Sequence, residues 1–398
     1  MASTPHLKRS PSRSHDRDYA PYLEAAWGFK NHWYPALFSH ELPEGSLRGV
    51  VIAGHEVALR RAKGKVYGLA DQCIHRGVKI SARQMCLNDE HLTCWYHGFC
   101  YGLEDGVLKT IVGSPRDPLI GRVKIRTYPL EERGGIIFVF IGDEDYRPVP
   151  PLTADLPIRI TDDPNPTPHL LDENLFMCGV HGLAKSNWRL GAENAFDPGH
   201  VLIHWDNAIV AATDSFIPLG FHPTSPDSVK IIDVPDGPKG IMNMYNTDTF
   251  EIVTENPVAR IKSRGSQHHY VRTSFYLPGC LLVEHWPLPG MAIYGWYVPT
   301  DDRHHEYWDV AIARCNSEEE RKDLQFKHEK MFKPLHFEDF YSNDIFAREA
   351  MQRYYDRQDG WHGEQLCELD SSIITWRKLA SHYNRGIQEP PDWATDRG

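Results

Sequence analysis

The sequence predicts an α+β protein with two domains, and three observations support this prediction. At 398 residues, the chain is longer than one hydrophobic core usually organises. The front of the chain carries short alternating segments bounded by glycine, whereas the back combines strand-like runs with long helical patterns. Prolines crowd residues 147–168 and prevent regular structure there, so the domain boundary is placed in this stretch.

The front domain, residues 31–150, is predicted to be all β. Within residues 47–70, Lys63-Gly64 separates two β-branched runs, which indicates a tight hairpin. Further short strands are predicted at residues 106–112 and 134–141. Residues 1–30 precede this domain and are expected to form an arm or helix that packs on the second domain.

The second domain, residues 151–398, is predicted to wrap an antiparallel sheet around long helices. Helical patterns cover residues 184–195, 317–331 and 344–355. Strand-like runs cover residues 229–234, 274–283 and 292–298.

Charge and composition exclude several classes of protein. The 43 basic and 54 acidic residues give a net charge of −11, which argues against a nucleic-acid or anionic-membrane partner. The longest apolar run, residues 134–142, is far too short to cross a bilayer, and the first residues lack the apolar segment of a signal peptide. Eight cysteines are too few for a disulfide scaffold, so a reducing, cytoplasmic location is expected.

Candidate metal ligands lie on two short arms, CIHRG and CWYHG. They are Cys73, His75, Cys94 and His97. Zinc sites usually offer their sulfurs as C-x₂₋₄-C pairs, whereas here each arm supplies one thiolate and one imidazole. Such mixed arms suit a [2Fe–2S] cluster in which two cysteines hold one iron and two histidines hold the other. Gly77 and Gly98 follow the arms and are expected to let backbone amides approach the cluster sulfides.

A second candidate site contains His200 and His204. On a helix, the two imidazoles share one face, about 5–6 Å apart at Cβ, and can bind one metal ion. Two histidines and one carboxylate form the iron site of non-haem oxygenases. Val201 stands where zinc proteases carry their catalytic glutamate, which argues against a protease. Spacing leaves the choice of carboxylate open among Glu338, Asp339, Asp344 and Glu349.

Asp197 lies three residues before His200, next to Pro198. A carboxylate hydrogen-bonded to a metal-bound imidazole is a common outer partner. Asp-Pro is also a favourable beginning for a helix, so Asp197 is a candidate N-cap as well. The adjacent pairs His268-His269 and His304-His305 are expected on the surface.

The second site carries a longer motif, NWRLGAENAFDPGH at residues 187–200, that strongly resembles the catalytic domain of Rieske ring-hydroxylating oxygenases. The two Cys/His arms resemble the Rieske motif of the same family, and the resemblance extends from Trp33 to about Gln388. It implies a Rieske [2Fe–2S] domain followed by a helix-grip catalytic domain with a mononuclear Fe(II). A protein that only transfers electrons and a structural zinc protein are the alternatives from other classes.

The resemblance also implies roles for two carboxylates. Asp344 matches the late aspartate that completes the mononuclear iron site in the family. Asp197 matches the aspartate that connects the iron-bound histidine, here His200, to the second Rieske histidine, here His97, of a neighbouring subunit.

The resemblance is most specific to the carbazole-dioxygenase type. The shared stretches include FKNHWYP at 29–35, WYVP at 296–299 and AREAM at 347–351. They imply a homotrimeric terminal oxygenase that uses O₂ for angular dioxygenation of carbazole and takes electrons from NAD(P)H through a ferredoxin reductase and a ferredoxin. The 2-oxoquinoline 8-monooxygenase type shares this architecture and is the main alternative.

The same resemblance implies a pocket for a small aromatic substrate. Its residues would be Asn194, Ala195, Leu281, Val283, Trp286 and Phe340. The backbone carbonyl of Ala195 would face the substrate N–H, at a position where the family usually has glycine. Gly295 stands where the family has a pocket glutamate, so this chain departs from the pattern at two pocket positions.

Overall fold

The computed structural model describes residues 18–159, 165–197, 199–204, 207–209, 229–243, 249–255, 258–265, 272–356 and 360–395. The beginning of the predicted arm, residues 1–17, the pair His268-His269 and Pro198 lie outside the described residues. None of the helices in the described ranges combines the length and the apolar character that a membrane span requires.

The front part of the chain folds into antiparallel sheets. Its strands are β1 (His32–Phe38), β2 (Leu47–Ile52), β3 (His55–Ala62), β4 (Lys65–Ala70), β5 (His91–Thr93), β6 (Phe99–Gly102), β7 (Leu108–Ile111), β8 (Thr127–Tyr128), β9 (Leu130–Arg133) and β10 (Ile136–Ile141). The sheets have the orders β2-β3-β4-β8, β5-β6-β7 and β1-β10-β9. The predicted hairpin is confirmed, because Lys63 and Gly64 join β3 to β4 with φ angles of 54° and 74°, which fit a type I′ turn. The strands predicted at 106–112 and 134–141 are confirmed as the shorter β7 and β10.

The back part contains a large antiparallel sheet. Its strands are β11 (Leu175–Ala184), β12 (Val229–Asp233), β13 (Lys239–Asn243), β16 (Arg272–Tyr276), β17 (Cys280–Glu284), β18 (Ala292–Pro299) and β19 (His305–Arg314), and a separate hairpin pairs β14 (Thr249–Glu255) with β15 (Val258–Gly265). The order in the large sheet is β11-β19-β18-β17-β16-β13-β12. The runs predicted at 229–234 and 292–298 are therefore confirmed as β12 and β18.

Helices pack against the large sheet. The α-helices are α1 (Ala20–Glu24), α2 (Trp188–Phe196), α3 (Glu318–Lys327), α4 (Tyr341–Tyr355), α5 (Gly360–Gly363), α6 (Ser371–Tyr383) and α7 (Asp392–Thr395). A π-helical segment, His328–Phe340, joins α3 to α4 without a break. Short 3₁₀ segments occur at Ser39–Glu41, Leu152–Asp155, His200–His204 and Glu368–Asp370.

Several predicted boundaries differ from the structure. The helix predicted at 184–195 begins only at Trp188, because Ala184 belongs to β11 and the Asn187 side chain caps the first helical turn. The run 274–283 is two strands, β16 and β17, joined by a short turn. The helix predicted at 317–331 continues through the π-helical segment into α4, which begins three residues before the predicted residue 344.

The front and back parts share one hydrophobic core. Phe38 of β1 lies against Trp308 of β19, and Phe138 of β10 lies against Trp296 of β18, with ring centroids 4.8 and 6.0 Å apart. All four side chains are buried in a single cluster that includes most of β1 and β10. Because apolar burial is the main stabilising term in folding, this cluster holds the front sheets firmly against the large sheet.

Helix α2 lies on the large sheet and leads into the second candidate site. Trp188, Ala192 and Phe196 recur at helical spacing and pack with Phe275 and Leu281 of β16 and β17. The helix ends at Phe196, and the chain then enters the 3₁₀ segment that carries the two histidines.

Candidate metal centres

The two Cys/His arms are loops with the same backbone hydrogen bonds. The N–H of Gly77 donates to the carbonyl of Cys73 at 2.8 Å, and the N–H of Gly98 donates to the carbonyl of Cys94 at 3.0 Å. Both glycines adopt positive φ, 70° and 69°, which side chains resist. Glycine is thus required to close each loop. The expectation that the glycines let backbone amides approach the cluster sulfides stays a prediction.

The four donor groups of the arms fall into a sulfur pair and a nitrogen pair. Cys73 and Cys94 are buried, whereas His75 and His97 are exposed, with their Nδ1 atoms 3.1 Å apart. Burial raises the pKa of the Cys94 thiol, and the neighbouring Cys73 thiol raises it further. The four donor atoms do not all lie within 4.8 Å of one another, unlike the set found at the second site. Two separated pairs suit two irons better than one tetrahedral zinc.

The edge of this first centre is open to solvent and partly apolar. Ile74 and Tyr96, each next to a histidine of the arms, are exposed. Tyr96 lies against the ring of His97, with centroids 3.8 Å apart. A protein that docks on this surface would touch both imidazoles directly.

The second centre brings together two of the predicted histidines and one carboxylate. The Nε2 atoms of His200 and His204 each lie 3.5 Å from Oδ1 of Asp344 in α4. The histidines stand on a 3₁₀ segment and not on the predicted α-helix, so their rings are nearly perpendicular, at 88°, with centroids 5.5 Å apart. Both rings nevertheless point at the same carboxylate oxygen.

Two atoms of this centre are buried without a hydrogen-bond partner. They are Nε2 of His204 and Oδ1 of Asp344. Buried polar atoms are rarely left unpaired, because desolvation then has no compensation. A divalent ion bound about 2.0–2.2 Å from nitrogen and oxygen ligands would satisfy both atoms and His200 as well. The donor set, two imidazoles and one carboxylate, fits a mononuclear iron.

Each imidazole uses its second nitrogen to hold its orientation. Nδ1 of His200 donates to the backbone carbonyl of Asp197 at 2.5 Å, and Nδ1 of His204 bonds to Oδ1 of Asn207 at 3.0 Å. The Asn207 amide in turn donates to Asp339 at 3.0 Å. These contacts leave Nε2 of each ring free for a metal. Asn207 was not predicted, although a polar residue three positions after a ligand histidine is a usable signal.

The structure corrects two expectations about Asp197. Its backbone carbonyl, and not its carboxylate, accepts the bond from His200, while the carboxylate accepts from the N–H of Gly199 at 2.7 Å. It also ends α2 as the C-cap and does not begin a helix. Burial raises the pKa of this carboxyl group, against the lowering effect of His200.

The charges at the second centre favour the forms that bind metal. Burial by itself would raise the pKa of Asp344, but His204, Arg348 and His200 outweigh it and lower that pKa to about 2. Burial also lowers the pKa of His200. At neutral pH the site therefore offers a carboxylate at Asp344 and a neutral imidazole at His200, which are the ligating states.

The other three candidate carboxylates have different surroundings. Glu338 is exposed, in agreement with a solvated helix face. Glu349 accepts from the backbone N–H of Lys185 at 2.9 Å. Asp339 is not a free surface group, since it receives the bond from Asn207 described above. Among the four, Asp344 is the one that reaches the histidine pair.

The predicted apolar pocket residues divide between two hydrophobic clusters. Phe340 stacks on His204 with ring centroids 3.7 Å apart, and Trp286 lies 5.4 Å from Phe340. Leu281 packs instead with the α2 cluster, and Val283 contacts both groups.

Two further pocket candidates lie in the last turn of α2. The Asn194 amide oxygen accepts from Nε of Arg348 at 2.6 Å, so this side chain already has a protein partner. Ala195 is partly buried, and carbonyl groups in the last turn of a helix lack partners within the helix. Its carbonyl is therefore a suitable acceptor for a ligand.

One predicted surface pair is only half correct. His304 bonds to Asp301 at 2.9 Å near the surface. His305 is fully buried, and its Nδ1 donates to the carbonyl of Ser186 at 2.7 Å. The two neighbours point apart, as adjacent residues do, but only one faces solvent.

Sequence profiles of two families match this chain. The profile of the homotrimeric ring hydroxylases matches residues 140–388, and that of the Rieske [2Fe–2S] domain matches residues 32–129. The terminal oxygenase component of carbazole 1,9a-dioxygenase from Metapseudomonas resinovorans is 39% identical over 378 residues, 94% of this chain and 95% of that protein. Its counterpart from Sphingomonas sp. is 40% identical over 375 residues, 93% of this chain and 96% of that protein.

Solved structures of oxygenases are similar to this chain over most of its length. The 2-oxoquinoline 8-monooxygenase component superimposes with a TM-score of 0.89 and 45% identity, covering 96% of this chain and 93% of that chain. The oxygenase in a reduced complex with ferredoxin, from carbazole 1,9a-dioxygenase, superimposes with a TM-score of 0.84 and 38% identity, covering 94% of both chains.

Proposed function

The chain belongs to the Rieske oxygenases of the homotrimeric ring hydroxylase family, and we propose that it is the terminal oxygenase of an enzyme that oxygenates an aromatic nitrogen heterocycle. The observation that carries this proposal is the meeting of two buried, unpaired ligand atoms, His204 Nε2 and Asp344 Oδ1, at 3.5 Å. The same chain carries the Cys/His arms of a Rieske centre, so a redox cluster and an oxygen site occur together.

The proposed ligands follow from the donor pairs. Cys73 and Cys94 would hold one iron of the cluster, and His75 and His97 would hold the other. The mononuclear iron would be held by the second set, which consists of His200, His204 and Asp344. When bound, this iron supplies the open coordination positions at which O₂ and electrons meet.

Electrons are proposed to pass between subunits. The exposed imidazole of His97 is suited to contact another chain. Asp197 bonds to His200 through its backbone carbonyl, and one oxygen of its carboxylate accepts from Gly199. In a head-to-tail trimer, the cluster of one chain would serve the mononuclear iron of the next. A ferredoxin, supplied with electrons from NAD(P)H by a ferredoxin reductase, is the proposed donor, by analogy with the carbazole enzyme in its ferredoxin complex.

Carbazole is the first proposed substrate. Trp286 and Phe340 offer flat apolar walls beside His204, and the Ala195 carbonyl offers an acceptor for the ring N–H. Angular dioxygenation would consume one O₂, two electrons and two protons. It would place one oxygen atom on the ring carbon next to nitrogen and the other on the adjacent carbon. The resulting hemiaminal opens to 2′-aminobiphenyl-2,3-diol.

A second candidate substrate is 2-oxoquinoline, favoured by the 45% identity to the 2-oxoquinoline 8-monooxygenase component. Its lactam N–H could use the same carbonyl of Ala195. Monohydroxylation would place one oxygen atom of O₂ on the ring and release the other as water, with the same two electrons and two protons.

The two candidates are separated by a reconstituted assay. The protein, a ferredoxin, its reductase and NADH would be supplied under ¹⁸O₂ with carbazole, fluorene, dibenzofuran or 2-oxoquinoline. Carbazole should yield a product with two labelled oxygens and should be consumed faster than fluorene, because an unpaired buried acceptor costs about 1–3 kcal/mol. If only 2-oxoquinoline is consumed, with one labelled oxygen, the carbazole proposal fails and the two-iron proposal stands.

Domain limits and location complete the proposal. An arm at 1–30, a Rieske domain at 31–150 and a catalytic domain at 151–398 are supported by the profile matches at 32–129 and 140–388. A cytoplasmic location is supported by eight free cysteines, two of which must stay reduced to bind iron. Fractionation of cells that express the protein would test the location.

A further inference from the structure

Arg348 is a buried cation next to the second metal centre. It lies on α4, four residues after Asp344, and is 1% exposed. Its guanidinium donates to the Asn194 amide oxygen at 2.6 Å and to the Tyr341 hydroxyl at 3.1 Å. Its Nη2 lies 3.9 Å from Oδ1 of Asp344, the same oxygen that faces both histidines. A buried guanidinium is retained only where its charge and its donors are compensated.

The distance from Arg348 to Asp344 fits an ion pair and not a hydrogen bond. At 3.9 Å the contact is too long for a hydrogen bond, so Oδ1 keeps its lone pairs for a metal. The guanidinium thus stays beside the carboxylate without a direct bond to it. The short directional bond goes to Asn194 instead, which lies in the last turn of α2.

Arg348 therefore connects the two elements that form the centre. Asp344 is carried by α4, and the histidines follow directly after α2. The bond from Arg348 to Asn194 spans 154 positions of sequence and joins these helices within the core. A change in this bond would move the carboxylate relative to the imidazoles.

We propose that Arg348 is a positioning residue of the mononuclear metal site, which sets the distance of Asp344 from the two histidines through Asn194. The inference rests on the proposed function, because it requires that this site binds a divalent metal. It adds a residue that touches neither the metal nor the substrate.

Arg377 provides a matched control. It is also fully buried, at 0% exposure, but its charge is balanced by Glu193 and Glu364. Its guanidinium bonds to both oxygens of Glu193 at 2.9 and 2.7 Å. It joins α6 to α2, so its loss should disturb folding without moving Asp344.

The test is a calorimetric titration with Co²⁺ of protein freed of its mononuclear metal by a chelator, with the cluster retained and monitored by its absorbance. Arg348→Gln is expected to weaken Co²⁺ binding about 10–100-fold. Arg377→Gln is expected to lower the melting temperature while leaving Co²⁺ affinity within about twofold of the original. Equal Co²⁺ affinity in Arg348→Gln and the original protein, or equal weakening in both variants, would overturn the proposal.

Two further variants keep the test decisive. If Arg348→Gln does not fold, Arg348→Lys replaces it, because lysine keeps the charge but loses the planar fork that bonds Asn194. The Co²⁺ affinity of Arg348→Lys should be lower than that of the original protein, and an affinity equal to the original would overturn the positioning role. His204→Ala should abolish Co²⁺ binding. If this variant binds Co²⁺ as the original does, the proposed metal site and the proposed function are refuted, independently of Arg348.

Discussion

At the scale of single residues, the second centre depends on the Nδ1 hydrogen bonds that fix the orientation of its two imidazole rings. Asn207→Ala removes the acceptor of His204 Nδ1 and frees the ring to rotate. Metal affinity should fall about 10–100-fold, with a matching loss of iron in purified protein. Metal analysis of this variant beside the exposed Asn316→Ala would check it, and full iron content in Asn207→Ala would contradict the role of the amide.

Asp197→Asn isolates the charge of one carboxylate. The bond to His200 comes from the backbone and survives the substitution, and asparagine can still accept from Gly199. Both metals should therefore be retained while product formation falls by about tenfold or more, because the proposed contact with an imidazole of the neighbouring subunit requires the charged carboxylate. Native turnover with full metal content would show that Asp197 only ends its helix.

Residue type and spacing were sufficient to nominate the ligands, but not their supports. Cysteines and histidines at short spacing are rare enough to be informative, and the resemblance selected Asp344 from four carboxylates. Arg348 escaped prediction because its contact with Asn194 is made by the fold, between residues 154 positions apart. The bond between Asn207 and Asp339 is likewise made by the fold, between residues of different elements.

At the scale of elements, one glycine loop of the first centre can be compared with the Lys63-Gly64 hairpin turn. Gly98 has φ 69°, and a Cβ there would lie 2.7 Å from the Val112 side chain, whereas Gly64 has φ 74° with open space around it. Both alanine variants carry the backbone strain, about 1 kcal/mol, but only Gly98→Ala also collides. Gly98→Ala should lose about half of its cluster or more and Gly64→Ala none, as measured by visible absorbance and iron content. Equal cluster content would show that the loop tolerates the methyl group.

His181 is a contact between elements whose strength should depend on pH. It lies on β11 between Glu41, at 2.9 Å, and Glu306, at 2.6 Å, and stacks on Trp308. Burial disfavours its charge, but Glu306 and Glu41 outweigh burial and raise its pKa above the usual value. The contribution to stability is therefore complete below the unfolded pKa, about 6.5, and is lost as pH rises through the folded value.

Melting temperatures would measure this contribution. The difference between the original protein and His181→Gln should be a few degrees near about pH 5.5 and should shrink by about pH 8.5. The exposed His40, which stacks on Phe38, provides the control variant His40→Gln. A difference that stays constant with pH would assign the effect to packing.

Local sequence signals predicted the simple elements and missed the composite ones. The Lys63-Gly64 turn was predictable because it needs only two residues with positive φ. The π-helical segment was not, because Pro334 inside it ordinarily signals a helix end. Here the chain continues helically with wider turns, which reduces the crowding around the proline and keeps α3 joined to α4.

At the scale of the whole molecule, the proposed trimer of about 137 kDa, from three chains of 45.7 kDa, makes a prediction about mixed assemblies. Cluster-deficient His97→Ala chains and iron-deficient His204→Ala chains should each be inactive alone. Trimers assembled from both should regain up to about one-third of the activity, because one chain's cluster reaches the next chain's iron. Co-expression followed by separation on two affinity tags would provide the mixed trimers. Inactive mixtures would place electron transfer within a single chain.

The hydrophobic core shared by β1, β10 and the large sheet limits how related enzymes can be recombined. A chimera that exchanges residues 31–150 for the equivalent segment of a relative would set foreign partners against Trp296 and Trp308. Mismatched packing there typically costs about 1–3 kcal/mol per site. Exchanging this segment between enzymes with different substrates would therefore need compensating changes on β18 and β19. Electron supply and substrate choice are thus expected to diversify together in this lineage.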